Sequence, residues 1–293
     1  MIAPLAVGAA LGSSATWAYA SARYAMTARE VSPVRVNLVR MLMAWPVFVA
    51  IALWDGSLGR GLTPQHLSWL ALSTFCSYAF ADSLFFASAR RLGVSSALAI
   101  ASTYPLWAAL KGTLVDGEPF GWARAAGTLL CVGGVATIVK LGGAQKDESG
   151  APAVRDRLGV PLALVTSVLW AGNTIAIKTG SIGLSLWTVN SVRYMIAIVI
   201  LSAIVASGRA PGATRPLRGW LPMVPAVIAD CVVGSVLFIY GLRNTDLAVG
   251  ATLSSLAPLL SLPIALWMGA ERPSVGKLLA VVTTVAGIVL LAS

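Results

Sequence analysis

The chain has 293 residues, of which 57% are apolar and 11% charged, and its mean hydropathy is +0.82. A soluble domain carries about 25% charged residues, so this composition excludes an ordinary soluble enzyme, a disordered chain and a secreted disulfide scaffold. The net charge of +10 lies mainly in short gaps between apolar runs, where basic residues orient a chain in a membrane, so we expect an integral membrane protein in contact with lipid and no nucleic-acid partner.

Ten apolar runs follow one another along the chain, separated by breaks that contain Pro, Gly or charged residues. A membrane-spanning helix needs about 20 residues, whereas barrel strands would be about half as long and would alternate in polarity. The runs cover residues 3–22, 33–54, 67–88, 94–113, 121–141, 158–179, 184–207, 220–241, 247–268 and 274–292. The sequence therefore predicts an all-α integral membrane fold with ten transmembrane helices.

The two halves of the chain repeat each other at a shift of 153 residues (17 to 170), and the shift pairs residues of uncommon types. The pairs include Trp17 with Trp170, Asn37 with Asn190, Arg40 with Arg193, Ser102 with Ser255, Pro105 with Pro258 and Glu118 with Glu271. We assign one five-helix repeat to residues 1–141, a polar linker to 142–157 and a second repeat to 158–293. Because five is odd, the second repeat enters the membrane from the opposite side, which is an inverted-topology repeat with a substrate site near the midplane.

The run LWAGNTIAIK (residues 169–178), followed by NSVRY (190–194), resembles the EamA-type unit of the drug/metabolite transporter superfamily. Pro258 and Glu271 fit the same pattern, and the resemblance extends over about residues 3–292 and occurs twice. It implies a ten-helix secondary transporter that exports amino acids or other small metabolites by alternating access. The Trp-rich, ten-helix form is similar to the bacterial aromatic amino-acid exporters of the YddG type.

Two aspartates lie inside apolar runs, where an ionisable residue costs about 2.5–3.5 kcal/mol or more. Asp82 is in the third run and Asp230 in the eighth. They are not equivalent under the repeat, since Asp82 pairs with Ser235 and Asp230 with Ser77, but they lie at similar depths. We predict that both face a central cavity and bind a substrate ammonium group or carry a proton. The alternative is that each is a packing group hydrogen-bonded to neighbouring Ser and Thr.

Arg40 and Arg193 are equivalent under the repeat and lie seven to nine residues inside their helices. A planar guanidinium group is suited to hold a substrate carboxylate, so both are candidates for a carboxylate site. The alternative is that their long aliphatic stems snorkel to the near membrane interface.

Aromatic side chains inside the helices are candidates for the cavity walls, because their rings offer a large apolar contact area together with a few polar groups that can form hydrogen bonds. The candidates are Trp17, Tyr78, Trp107, Trp170 and Tyr240. Packing is the alternative for each of them. Asn173, which follows Trp170 by three residues and so lies on nearly the same helix face, is a candidate for hydrogen bonding to the polar head of the substrate.

Pro105 and Pro258 lie inside the fourth and ninth predicted helices at equivalent positions. A proline inside a helix frees a backbone carbonyl and permits a kink. An alternating-access transporter can use such a kink as a hinge or gate, and a static kink is the alternative.

The Lys and Arg residues outside the helices are divided unequally between the two predicted faces. The face that carries both termini has five, and the opposite face has 14. We expect the protein to lie in a bacterial inner membrane. The positive-inside rule then predicts that both termini are periplasmic, whereas the family resemblance implies the reverse.

We expect no catalytic residue, metal or cofactor. The sequence has no Gly-Lys-Ser/Thr nucleotide loop, its one histidine, His66, falls in a predicted loop, and its three cysteines stand apart. The runner-up substrate class is a nucleotide sugar or phosphorylated metabolite, which would require several cations in the cavity. A channel and a membrane-embedded enzyme are the alternatives from other classes. Protons are a candidate coupling ion, and ten helices suffice to enclose a path in a monomer.

Overall fold

The computed structural model describes residues 4–28, 30–114, 121–142, 158–210, 217–245, 247–258, 260–261, 264 and 275–291. Within these ranges the chain is helical and contains no strand, so the predicted all-α class is confirmed for them. Glu118, Glu271 and nearly all of the predicted linker lie outside the described residues.

Each predicted apolar run contains a helix or helical stretches of the structure. In the first half these are α1 (Pro4–Thr27), α2 (Pro33–Trp54), α3 (Pro64–Leu92), α4 in two parts (Val94–Ala101 and Tyr104–Leu114) and α5 (Trp122–Gly142). In the second half they are α6 (Gly159–Gly180), α7 (Leu186–Ala206), α8 (residues 217–243), α9 (Leu247–Ser254) and α10 (Val275–Leu291). Among the described residues, α2, α3, α6, α7 and α8 are long and apolar enough to cross a membrane.

Helix α3 begins three residues before the predicted run because its first turn is capped. Pro64 occupies the first turn, where its missing N–H costs no hydrogen bond, and the Thr63 hydroxyl accepts the His66 N–H at 3.3 Å. The His66 ring nitrogen Nδ1 accepts the Thr63 N–H at 3.3 Å in return, while Nε2 lies 3.1 Å from the Ile182 carbonyl. His66 therefore belongs to a helix cap that touches the turn between α6 and α7, and the loop prediction for it was wrong.

The fourth predicted helix is interrupted. Its helical bonding ends at Ser102 and Thr103, and Pro105 lies in the first turn of the second part, where a proline is tolerated. In the second half, α9 ends at Ser254, and Pro258 lies in a helical stretch that resumes after the break. Both prolines therefore restart a helix, which corrects the prediction that they kink a continuous one.

The helices of the two halves pack against each other in a pattern that follows the repeat. Helix α1 packs on α8, and its equivalent α6 packs on α3. The equivalent helices α2 and α7 pack on each other, as do α5 and α10. Each half is therefore completed by helices of the other half, and the central interface is formed by both.

Helices α5 and α10 approach closely through glycines at equivalent positions. Gly134 faces Thr284, and Gly287 faces Cys131, so that a Cβ on Gly287 would lie 2.6 Å from the Cys131 backbone nitrogen. Small residues that allow backbones to touch are typical of helix association in membranes.

The largest buried cluster joins the two halves beside the site described below. Its rings include Tyr24, Phe85 and Phe86 from the first half and Tyr194 from the second. Phe48 of α2 meets Tyr194 of α7 edge to face with ring centroids 5.3 Å apart. The interface of the two repeats is thus filled by rings on one side of the site.

Candidate functional site

A cavity of about 110 Å³ lies between the two halves. One water molecule needs about 10–15 Å³ on the same measure, so the cavity has room for a small solute or several waters. Eight predicted site residues line it: Trp17, Arg40, Tyr78, Asp82, Trp170, Asn173, Arg193 and Asp230. Nine other residues also line it: Ser13, Ser77, Ser102, Tyr104, Thr174, Gly234, Ser235, Phe238 and Ser254.

Two π-helical stretches position the carboxylates. Phe75–Ala79 in α3 and Ile228–Gly234 in α8 begin at positions that the repeat makes equivalent. A π-helical turn holds an extra residue and so changes the direction of the side chains around it, and such turns are frequent at functional sites. Asp230 lies inside the second stretch and Asp82 follows the first by three residues, so both carboxylates reach one cavity although they are not repeat mates.

Arg40 is buried at the centre of the interface, with 1% of its surface exposed. Its guanidinium group donates to Asp82 and lies 3.9 Å from the Asp230 carboxylate. Four aromatic rings surround the same group, with the guanidinium carbon 4.8–5.7 Å from their centroids. These rings belong to Trp17, Tyr24, Tyr78 and Phe86. Arg40 does not snorkel to an interface; carboxylates and aromatic faces stabilise its charge.

Asp82 uses both carboxylate oxygens within the protein. One accepts from Arg40, and the other accepts the Trp170 Nε1–H at 3.0 Å. Its side chain is only 6% exposed. This geometry makes Asp82 the counterion of Arg40 and leaves it little capacity for the predicted contact with a substrate ammonium group.

Asp230 is the more accessible carboxylate, since 15% of its side chain is exposed. The Cys231 thiol lies 3.4 Å from its Oδ2 atom, and Arg40 is no closer than 3.9 Å. Asp230 is therefore the acidic group of the cavity with the greatest freedom to bind a cation.

Arg193 is as deeply buried as Arg40 but has different partners. Its guanidinium group donates to Asn173 Oδ1 at 3.0 Å, to Ser77 Oγ at 3.2 Å and to Tyr78 Oη at 3.3 Å. It also stacks over the Tyr78 ring, 4.6 Å from the centroid. Because Arg193 is 1% exposed and bonded to residues of two neighbouring helices, it does not snorkel to a membrane interface. Among the described residues no carboxylate lies within ion-pair distance of Arg193, so its charge is unpaired.

Asn173 connects Arg193 to α3. Its Oδ1 atom accepts the Ser73 hydroxyl at 2.7 Å as well as the Arg193 guanidinium. The amide oxygen is thus occupied by the protein, while the side chain still borders the cavity.

The aromatic wall is formed around Trp170. Its ring lies 5.7 Å from Trp17, 5.5 Å from Phe85 and 6.3 Å from Tyr104, centroid to centroid. Such tilted and edge-to-face arrangements are favoured by the ring quadrupoles. The wall is therefore built by rings from α1, α3, α4 and α6 together.

Two predicted wall residues lie outside the cavity. The Trp107 indole donates to Ser167 Oγ of α6 at 2.9 Å and packs on the buried cluster. Tyr240 borders a separate cavity with Lys178 and Arg243. Phe238, two residues earlier on the same helix, faces the main cavity. Residues two apart on a helix point about 200° away from each other, so Tyr240 faces the opposite direction. The structure therefore does not bring Trp107 and Tyr240 to this cavity, and their role in substrate binding stays a prediction.

Sequence reasoning named no role for Ser77 and Ser235, which both line the cavity. A signal for them existed, since they are the repeat mates of Asp230 and Asp82. Of the remaining lining residues, Tyr104 and Ser254 are candidates on sequence grounds, as an aromatic ring and a hydroxyl near the two prolines, and Ser102 is the repeat mate of Ser255. The others are small or apolar and carry no distinguishing pattern. No group of three His, Cys, Asp or Glu side chains able to hold a metal occurs in the part of the chain that the structure describes.

The model of the EamA-like transporter family matches this chain twice, over residues 4–140 and 157–293. The two matches are offset by the same 153 residues (4 to 157) as the internal repeat.

Two curated relatives from Archaeoglobus fulgidus bear the name uncharacterized transporter. One is 27% identical over 192 residues, which are 66% of this chain and 65% of the relative, so the chain spans slightly less than two thirds of that relative's length. The other is 26% identical over 266 residues, which are 89% of this chain and 88% of the relative. A solved crystal structure with 21% identity covers 97% of this chain and 94% of its own at a TM-score of 0.69, which shows a shared fold.

Proposed function

The chain belongs to the EamA-like transporter family, and on that premise we propose that it is a secondary transporter that exports amino acids, aromatic and other neutral ones, together with related small metabolites. In this proposal the substrate occupies the cavity between the two repeats, which opens alternately to each side of the membrane. The breaks before Pro105 and Pro258 allow the helices to bend during this change.

One observation carries the choice of substrate class: the cavity combines ring walls with an accessible carboxylate. Trp17 and Trp170 offer apolar faces to a side chain. Asp230 offers a negative charge to an ammonium group. Asp82 supports the site indirectly, by holding Arg40 in place. An amino acid has both an apolar side chain and an ammonium group, so it matches this pairing.

A nucleotide sugar or phosphorylated metabolite is less well supported. Such anions require several unpaired cations, because each phosphate brings one or two negative charges. The charge of Arg40 is balanced by Asp82, which leaves Arg193 as the one described guanidinium group of the cavity without a counterion.

The proposed arrangement in the membrane is ten transmembrane helices in two inverted five-helix repeats, acting as a monomer in a bacterial inner membrane. Both termini lie in the periplasm on the charge count, and Asp230 is the candidate for any proton coupling. A periplasmic reporter, alkaline phosphatase, fused to the C-terminus should be active. Activity of a cytoplasmic reporter at the same position would reverse the orientation.

The function is tested with purified protein in liposomes and labelled tryptophan, threonine and UDP-glucose, with and without a pH gradient. We expect saturable uptake and counterflow of the amino acids. Uptake of UDP-glucose alone would favour a nucleotide-sugar carrier. Flux without saturation or counterflow would indicate a channel, and chemical conversion of a substrate would indicate an enzyme.

A matched pair of variants locates the path. Ser254→Trp places an indole in the cavity, since Ser254 lines it, and should abolish counterflow. Val199→Trp adds the same ring to the outer surface of α7, where Val199 is 60% exposed, and should leave counterflow unchanged. Equal activity of the two variants would contradict transport through this cavity.

A further inference from the structure

Arg40 and Arg193 are repeat mates, yet the protein supplies a counterion to one of them alone. Both side chains are 1% exposed and both line the cavity. Arg40 is paired with Asp82 and lies near Asp230. Arg193 has three uncharged partners instead. The asymmetry therefore concerns the charge around the two arginines rather than their burial.

The repeat shows which residues replace the two carboxylates. The equivalent of Asp230 is Ser77 (77 to 230), and the equivalent of Asp82 is Ser235 (82 to 235). Ser77 stands 3.2 Å from the Arg193 guanidinium, in the position that corresponds to Asp230 facing Arg40. At both pairs of equivalent positions one half holds aspartate and the other holds serine, so Arg193 has a hydroxyl where Arg40 has a carboxylate.

The surroundings of Arg193 are incomplete without an anion. A charge buried away from water is costly unless it is paired and hydrogen-bonded. The Nε atom of Arg193 has no hydrogen-bond partner in the described structure, but the same is true of Nε and Nη1 of Arg40, so the two arginines differ in their counterions and not in their unfilled donors. A guanidinium group binds carboxylates strongly, so a carboxylate that enters the cavity beside Arg193 would supply the counterion that no described residue supplies.

We propose that Arg193 is the carboxylate subsite of the cavity, where the α-carboxylate of the substrate takes the role that aspartate has beside Arg40. This assignment rests on the proposed function and deepens it, because it divides the zwitterionic head of an amino acid between Arg193 and Asp230. The chain omits a built-in counterion at Arg193, and each substrate molecule supplies it.

The test compares binding of tryptophan with binding of tryptophan amide, which keeps the ring and the ammonium group but has no carboxylate. Affinities are measured by calorimetry on the purified full-length protein in detergent. The variant Ser77→Asp gives Arg193 an internal counterion, and Ser77→Asn changes the same position without charge. Arg193→Gln removes the cation itself.

We expect Ser77→Asp and Arg193→Gln to weaken tryptophan binding by about tenfold or more, the usual effect of losing hydrogen bonds to a charged group. Binding of the amide should not weaken through charge, since neither an added carboxylate nor a removed cation disfavours an ammonium group. Ser77→Asn changes the same position without charge, so it should leave the ratio of the two affinities unchanged. Equal losses for the acid and the amide would overturn the carboxylate subsite and leave the proposed function standing. If the unaltered protein binds neither ligand, the proposed function fails and the subsite fails with it.

Discussion

Trp17 and Trp170, which occupy equivalent positions in the two repeats, meet edge to face with ring centroids 5.7 Å apart and ring planes at 78°. They contact different partners in the ion pair between Arg40 and Asp82. Trp17 places its ring 5.5 Å from the Arg40 guanidinium carbon, whereas Trp170 donates its indole N–H to Asp82. One tryptophan thus stabilises the cation and its equivalent stabilises the anion.

The hydrogen bond from Trp170 should be measurable apart from the ring. Trp170→Phe keeps an aromatic ring but removes the donor to Asp82, and a hydrogen bond to a charged group contributes about 1.5–3 kcal/mol. We expect this variant to unfold at lower temperature than Trp17→Phe, because no hydrogen bond of the Trp17 indole is seen in the described structure. Thermal unfolding in detergent measures the difference, and identical melting of both variants would contradict it.

Asp82 should be needed for folding stability more than for substrate contact. Asp82→Asn removes the direct partner of Arg40 and leaves only the contact to Asp230 at 3.9 Å, and breaking a buried ion pair in this way costs up to about 3–5 kcal/mol. Replacing both partners, with Arg40→Met and Asp82→Leu together, removes the buried cation as well and should recover most of the loss. Thermal unfolding of the single and double variants decides the matter, and a double variant as unstable as Asp82→Asn would refute the counterion role.

Asp230 should behave in the opposite way. It is partly exposed to the cavity and lies 3.9 Å from Arg40, so Asp230→Asn should change the melting temperature little. The loss of its charge should reduce tryptophan counterflow by about tenfold or more if it contacts the ammonium group. Asp55→Asn, at the exposed end of α2, is the control and should transport normally. Full transport by Asp230→Asn would exclude this residue from the substrate site.

The contact of α5 with α10 offers two neighbouring glycines with different surroundings. A Cβ on Gly134 would collide with Thr284, whereas a Cβ on Gly133 meets no atom within 4 Å. Gly134→Ala should destabilise the protein by about 1–3 kcal/mol through overpacking. Gly133→Ala should be neutral or stabilising by up to about 1 kcal/mol, since alanine favours a helix. The two melting temperatures test this directly, and a stable Gly134→Ala protein would show that the helices are not in backbone contact.

The class of fold and its two-fold repetition could be predicted from the sequence, and the reason is local. Backbone groups inside lipid must be hydrogen-bonded within their own segment, so each membrane helix corresponds to one long apolar run in the sequence. Matches such as Trp17 with Trp170 indicate the duplication. The position of Asp82 and Asp230 inside the helix bundle could also be anticipated, because both fall within apolar runs. Helix breaks were harder to predict, because a proline inside a run has the same appearance whether it kinks a helix or, as Pro105 does, starts a new one.

The charge pairing at the site was decided by the tertiary structure alone. Arg40 and Arg193 have the same residue type and the same depth in the sequence, and their difference comes from partners on other helices: Asp82 is 42 residues from Arg40, and Ser77 is 116 residues from Arg193. The rotation of α8 that directs Phe238 inward and Tyr240 away is likewise set by packing. The sequence by itself determined the membrane helices, their repetition and the set of polar candidates. Which candidate is a counterion and which is left unpaired depends on contacts between helices that no local pattern records.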